Sequence, residues 1–123
     1  MSNSPSDYEA VIGVVRNYVE GMCAADGEKI RAAFHPKACC IGNFDGGLEW
    51  DDREAFIAAV EAAVETPDID PHWLIRSIAI NGDTAMVVVE DDWLGMQFVD
   101  SLGLLKRAEG WQIVSKVFHH REP

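Results

Sequence analysis

From Asp7 onward, apolar residues recur at three- and four-residue steps: Tyr8, Val11, Ile12, Val15, Tyr18, Val19 and Met22. That spacing predicts an amphipathic helix, with Ser6 or Asp7 as its N-cap and Glu9 in the first turn. Asp26-Gly27 breaks the pattern. Ile30, Ala33 and Phe34 then define a second, short helix from Glu28, which His35-Pro36 ends because a residue before proline avoids helical dihedrals. Residues 38–44 predict a strand, Asp45-Gly46-Gly47 a tight turn, and Leu48-Glu49-Trp50 a short return. Asp51 or Asp52 caps a third helix reaching about Glu65, with Phe56, Ile57, Val60, Ala63 and Val64 on its buried face.

After the loop containing Pro67 and Pro71 the period changes to two. Strands are predicted from Trp73 to Ile80, Thr84 to Trp93, Gly95 to Lys106 and Trp111 to His120. Helices first and an antiparallel meander afterwards make an α+β domain, with a strongly bent sheet wrapping the helices. Residues 1–6 are expected to be a disordered tail and residues 7–123 a single domain.

Composition narrows the partners. Ten basic against 21 acidic residues leave a formal charge of −11 on 123 residues. A field of that sign repels phosphate backbones and anionic membranes, so neither nucleic acid nor membrane is an expected partner. No apolar run approaches a membrane span, and the N-terminus has neither a basic nor an apolar signal region, so a cytoplasmic location is expected. Cys23, Cys39 and Cys40 form no CxxC pair, and adjacent cysteines on a strand point to opposite faces; they are expected to be small core residues.

The chain resembles the nuclear-transport-factor-2-like (NTF2-like) superfamily, the cystatin-like α+β cone, and within it the SnoaL-like, lumazine-binding-like branch. The residues that carry the likeness are Tyr18-Val19-Glu20-Gly21, Phe34-His35-Pro36-Lys37-Ala38 and Ile80-Asn81-Gly82-Asp83-Thr84-Ala85. Phe98-Val99-Asp100-Ser101-Leu102, Leu104-Leu105-Lys106 and the ending from Gly110 to His119 complete it. The resemblance implies three helices on a curved antiparallel sheet. The fold hosts isomerases, dehydratases, cyclases and binding modules, so it fixes no activity. Ketosteroid isomerases of the superfamily use a helix tyrosine, which Tyr18 matches, and two strand acids. Here those acids fall on Gly42 and on Leu102 or Gly103, which carry no proton, so isomerisation by that route is not expected.

The candidate chemistry lies on the last strands. Asp100 interrupts the apolar row Phe98, Leu102, Leu104, and a lone buried acid has a raised pKa unless a cation or donor meets it; Lys116 and Arg76 are its structural alternatives. His119 shares a strand face with Trp111, Ile113, Ser115 and Val117, and by family geometry that face is expected to line the cone. An imidazole there acts as a general acid or base. Asp100 and His119 are therefore the expected catalytic pair, with Tyr18, Phe34, Phe56 and Trp93 as ligand-binding wall. Asp91-Asp92 beside Trp93 reads as a solvated edge, and His35 as a fixture of the strand entrance.

No HExxH or HxH spacing points to a metal, and no GxGxxG, P-loop or GxSxG motif points to a nucleotide cofactor or a serine nucleophile, so no cofactor is expected. The expected function is binding of a small, largely apolar or aromatic molecule in the cone, with cofactor-free acid–base chemistry of dehydratase, isomerase or cyclase type. The alternative is a non-catalytic dimerisation or protein-interaction module whose cone is filled by its own side chains. Strands apolar on both faces need cover on both sides, so a homodimer is expected, with Val87, Val89, Val114 and Phe118 as its candidate interface.

Overall fold

Among residues 4–121, which the computed structural model describes, the chain forms three helices and one six-stranded sheet. Helix α1 (Pro5–Ala24) starts two residues before Asp7, because Pro5 has the φ a first turn needs and lacks only an amide that would be unpaired there. Of the expected tail, residues 1–3 lie outside the described residues, Ser4 is the extended N-cap, and Pro5 and Ser6 are helical. The helix buries Val11, Val15, Tyr18, Val19 and Met22, the predicted stripe.

Ala25 closes α1 in the left-handed region, at φ 56°. Asp26 then caps α2 (Gly27–Ala33), its Oδ1 accepting from the Lys29 amide at 3.2 Å. Asp52 caps α3 (Arg53–Ala63) in the same way, accepting from the Ala55 amide at 2.8 Å. Asp26 and Asp52 are thus helix start signals and not ligands.

Strand β1 (Phe34–Phe44) begins directly after α2 and not at residue 38. Pro36 is tolerated because the ladder is interrupted there: β1 pairs with the last strand at Phe34 and again only from Cys39. Strand β2 (Gly47–Asp52) returns alongside β1, and β3 (Trp73–Asn81), β4 (Thr84–Trp93), β5 (Met96–Arg107) and β6 (Gly110–Arg121) form the predicted meander. The sheet order is β2-β1-β6-β5-β4-β3. β1 pairs with β6 in parallel, a departure from the all-antiparallel expectation that becomes possible because the rest of the chain serves as the crossover.

A β-bulge in β6 decides which side chains face inward. Leu104 lies opposite Ile113 and Gly103 opposite Ser115, so Val114 is an extra residue on β6. Before it Trp111 and Ile113 point into the core; after it Lys116 and Phe118 do, and His119 is turned outward and exposed. This corrects the expected facing of His119, which assumed unbroken alternation.

The helices cover the concave sheet face, with the core between them. Val87 and Val89, expected on the outward face, are fully buried in that core; Phe118 lines a cavity and Val114 is half-buried at the bulge. The apolar residues that are turned outward are others: Trp50, Met86 and Val117, which are 64%, 58% and 50% exposed.

Candidate functional site

Between α3, the end of α1 and the concave sheet lies a cavity of about 390 Å³, partly open to solvent. Its walls are mostly apolar. Phe56, Ala59, Val60 and Ala63 come from α3, and Cys40, Phe44, Trp93, Phe98 and Phe118 from the strands. Burial pushes the Cys40 thiol up to about 12, so it is a neutral wall residue and no nucleophile. Four ionisable side chains also line the cavity: Lys116, Asp91, and Glu49 and Asp51 from β2.

Phe118 reaches its place because β1 carries no side chain beneath it. Gly42 pairs with Phe118, and a Cβ on Gly42 would stand 2.6 Å from the Phe118 ring. Phe118 in turn forms one side of the surroundings of Lys116. The Lys116 Nζ lies 4.2 Å from the Phe56 ring centroid, 4.9 Å from that of Tyr18 and 5.4 Å from that of Phe118. The residue is only 5% exposed, yet among the described residues no carboxylate lies within ion-pair distance of it. Its charge is held by aromatic faces, an attraction that reaches about 2 kcal/mol when desolvated.

Behind this cage is a carboxyl pair. Asp100 lies opposite Val89 and Asp91 opposite Phe98, so the two acids stand diagonally across β4 and β5 on the same face. The Tyr18 phenol donates to Asp100 Oδ2 at 2.6 Å. The other Asp100 oxygen and both oxygens of Asp91 are buried and meet no donor when both groups are ionised. Burial, then the hydrogen bond and charge of Asp100, raises Asp91 well above the usual carboxylate range. Asp91 is therefore a carboxylic acid at neutral pH, and its proton supplies the donor that the pair otherwise lacks. Burial and then Asp100 also raise Tyr18, which stays a phenol.

Of the expected wall residues, Phe56 and Trp93 line the cavity, and the Trp93 indole donates to the Met22 carbonyl at 3.2 Å. Tyr18 and Phe34 are fully buried, and neither reaches the cavity; Phe34 stacks edge-on against Tyr18, which holds Asp100 from behind. Asp100 is likewise behind the wall, with Asp91 in front of it. Asp100 and the exposed His119 are not brought together. Sequence reasoning missed Asp91 and Lys116. For Asp91 a signal existed, since it falls on the buried row Ala85, Val87, Val89. For Lys116 there was none, because its inward facing depends on the bulge.

The family described as "Putative lumazine-binding" matches residues 6–119. This chain belongs to that family, within the NTF2-like superfamily. An NTF2-like protein of unknown function from Silicibacter pomeroyi is 38% identical, with a TM-score of 0.91 over 98% of this chain and 100% of that one. Another from Shewanella baltica is 27% identical, with a TM-score of 0.88 over the whole of both chains. Aldolase FrzH of Cladobotryum sp. is 31% identical over 116 residues, 93% of this chain and 91% of FrzH. In this NTF2-like chain, no helix among the described residues is long and apolar enough to cross a membrane.

Proposed function

We propose that this NTF2-like chain binds a small, largely apolar carbonyl compound in its cone and moves protons at the carbon next to the carbonyl, without a cofactor. The observation that carries the proposal is that Lys116 and the acid Asp91 line one apolar cavity, each facing the space with no hydrogen-bond or ion-pair partner fully satisfying it. A cationic nitrogen polarises a carbonyl oxygen, and a carboxyl pair holding one proton presents both a proton donor and a proton acceptor. The cavity's volume and apolar lining suit a ligand of one or two rings. Kinship to an aldolase across nearly the full chain supports chemistry of this class.

The reading replaces the histidine–aspartate pair with Asp91 and Lys116 as the groups at the substrate, and keeps Asp100 and Tyr18 as their support. An unfilled cavity weighs against the interaction module with a plugged cone: Trp93 and Phe56 form walls, and Trp50 lies outside. The test is deuterium uptake by 1-phenylpropan-2-one in D2O, followed by proton NMR. Uptake next to the carbonyl should exceed the buffer rate with the wild-type chain and fall by about 10²-fold with Asp91→Asn. Equal rates with and without protein would end this reading. We also propose that the chain is a homodimer through its exposed sheet face.

A further inference from the structure

We infer that Lys116 acts as a covalent amine, condensing with an uncharged aldehyde or ketone to form an iminium in the cone. The inference rests on the carbonyl chemistry proposed above and specifies how the carbonyl is activated.

Three observations lead to it. First, Lys116 differs from the other lysines in its surroundings. Lys29 is paired with Glu20 and Lys106 with Asp7, both at the surface, and Lys37 is exposed, whereas the Lys116 nitrogen lies over three aromatic rings with no carboxylate within ion-pair distance among the described residues. A lysine tied into an ion pair is a poor nucleophile; one held out of water without an ion-pair partner is a better one. Second, the surroundings suit the product as well as the reactant. An iminium puts its positive charge on the same nitrogen that carried the ammonium charge, so the Phe56, Tyr18 and Phe118 faces stabilise both. Condensation therefore costs no new buried charge. Third, Asp91 lines the same cavity as Lys116 and stands on the same sheet face as Asp100, which puts a carboxyl pair at the site to carry protons across the cavity.

The Lys116 ammonium yields a proton to the carboxyl pair, and the free amine adds to the carbonyl carbon, forming the C–N bond as the C=O π pair moves to oxygen. The pair protonates that oxygen and receives the second nitrogen proton, leaving a carbinolamine. It then protonates the hydroxyl, the C–O bond breaks, and water departs. Lys116 is left as the iminium, and the pair holds the one proton it started with. Loss of a proton from the adjacent carbon to the pair then gives the enamine, the carbon nucleophile of an aldol addition.

The same residues define the substrate class. Glu49 and Asp51 line the cavity on a chain of charge −11, so the field disfavours a keto acid and admits a neutral or basic carbonyl compound.

The experiment is reductive trapping on the full chain. Wild-type protein is incubated with 1-phenylpropan-2-one and sodium cyanoborohydride at neutral pH, and peptides are mapped by mass spectrometry. The expected result is attachment of one ketone-derived group at Lys116, at least about tenfold faster than at Lys37, with Asp91→Asn slowing it by about 10²-fold and pyruvate giving little. Labelling of Lys37 at the same rate as Lys116, or none at Lys116, overturns the inference. Because the readout is on the wild-type chain, it does not depend on a variant folding. Quenching of Trp93 fluorescence by 1-phenylpropan-2-ol, which has no carbonyl, is measured alongside. Ketone deuterium uptake with ligand quenching but no trapping leaves the proposed function standing and removes the covalent step alone.

Discussion

Tyr18 and Asp100 are separated by 82 positions in sequence and joined by a 2.6 Å hydrogen bond from phenol to carboxylate. That bond ties the first helix to the middle of the sheet and fixes where the carboxyl pair sits. It also makes Asp100 a supporting group, because its other neighbour, Asp91, is the one that lines the cavity.

Tyr18→Phe keeps the ring that packs against Lys116 and Phe34 but removes the donor. Asp100 is then buried with one partner fewer, which costs about 1–3 kcal/mol. Urea unfolding should show the midpoint falling by a corresponding amount with no change in slope. An unchanged midpoint would contradict the role given to this bond.

Asp91 gives stability a distinctive pH dependence. Its acid is raised in the folded chain, chiefly by burial, so the folded state keeps a proton that the unfolded chain releases above the ordinary carboxylate range. That contribution is full at pH below the unfolded value and is lost steadily as pH rises through neutrality. Asp91→Asn has no proton to lose and keeps a donor for Asp100. The stability of the variant relative to wild type should therefore climb between pH 5 and pH 8, by up to about 1.4 kcal/mol per pH unit. A constant difference across that range would show that Asp91 is ionised in the folded chain.

Most of the fold was legible because its elements are long and strictly periodic. The stripe Val11, Val15, Tyr18, Val19 and Met22 admits one secondary structure and one buried side, whereas the alternation Ala85, Val87, Val89 gave the strand but not its buried face, since Val87 and Val89 were expected outward. The break at Asp26-Gly27 and the cap at Asp51 or Asp52 marked the starts of the second and third helices to within a residue. The site was much less legible. One extra residue, Val114, reverses every later side chain of β6, and nothing in Ile113-Val114-Ser115 announces it. That reversal exchanges His119 for Lys116 at the cavity. Asp91 was passed over for a different reason: beside Asp92 it looks like a solvated acidic edge, although it continues the row Ala85, Val87, Val89 that proves to be buried.

Gly42 tests the shape of the cavity. A methyl group there would stand 2.6 Å from the Phe118 ring, which must swing away or push the strand pair apart. Gly42→Ala should cost about 1–3 kcal/mol, as overpacking does, and should weaken quenching of Trp93 by 1-phenylpropan-2-ol at least severalfold. Full affinity in a stable Gly42→Ala chain would mean that Phe118 does not shape the ligand site.

The outward sheet face carries one continuous row of uncharged side chains. Trp50 on β2 lies opposite Ile41 on β1, which lies opposite Val117 on β6, which lies opposite Ser101 on β5; Ser101 lies opposite Val88 on β4. These residues form a row across five adjacent strands, with charge confined to its margins. An apolar row of that extent on a chain otherwise so acidic is the kind of surface that a second copy covers, since identical partners present the same uncharged row to one another. Native mass spectrometry at micromolar concentration should give the dimer mass, and Val117→Lys, which puts a charge near the centre of the row, should shift it to monomer. The same variant should keep its circular dichroism spectrum, because Val117 is half exposed and faces away from the core. A wild-type monomer would leave the row without the partner proposed for it, whereas a dimer unaffected by Val117→Lys would place the contact on another face.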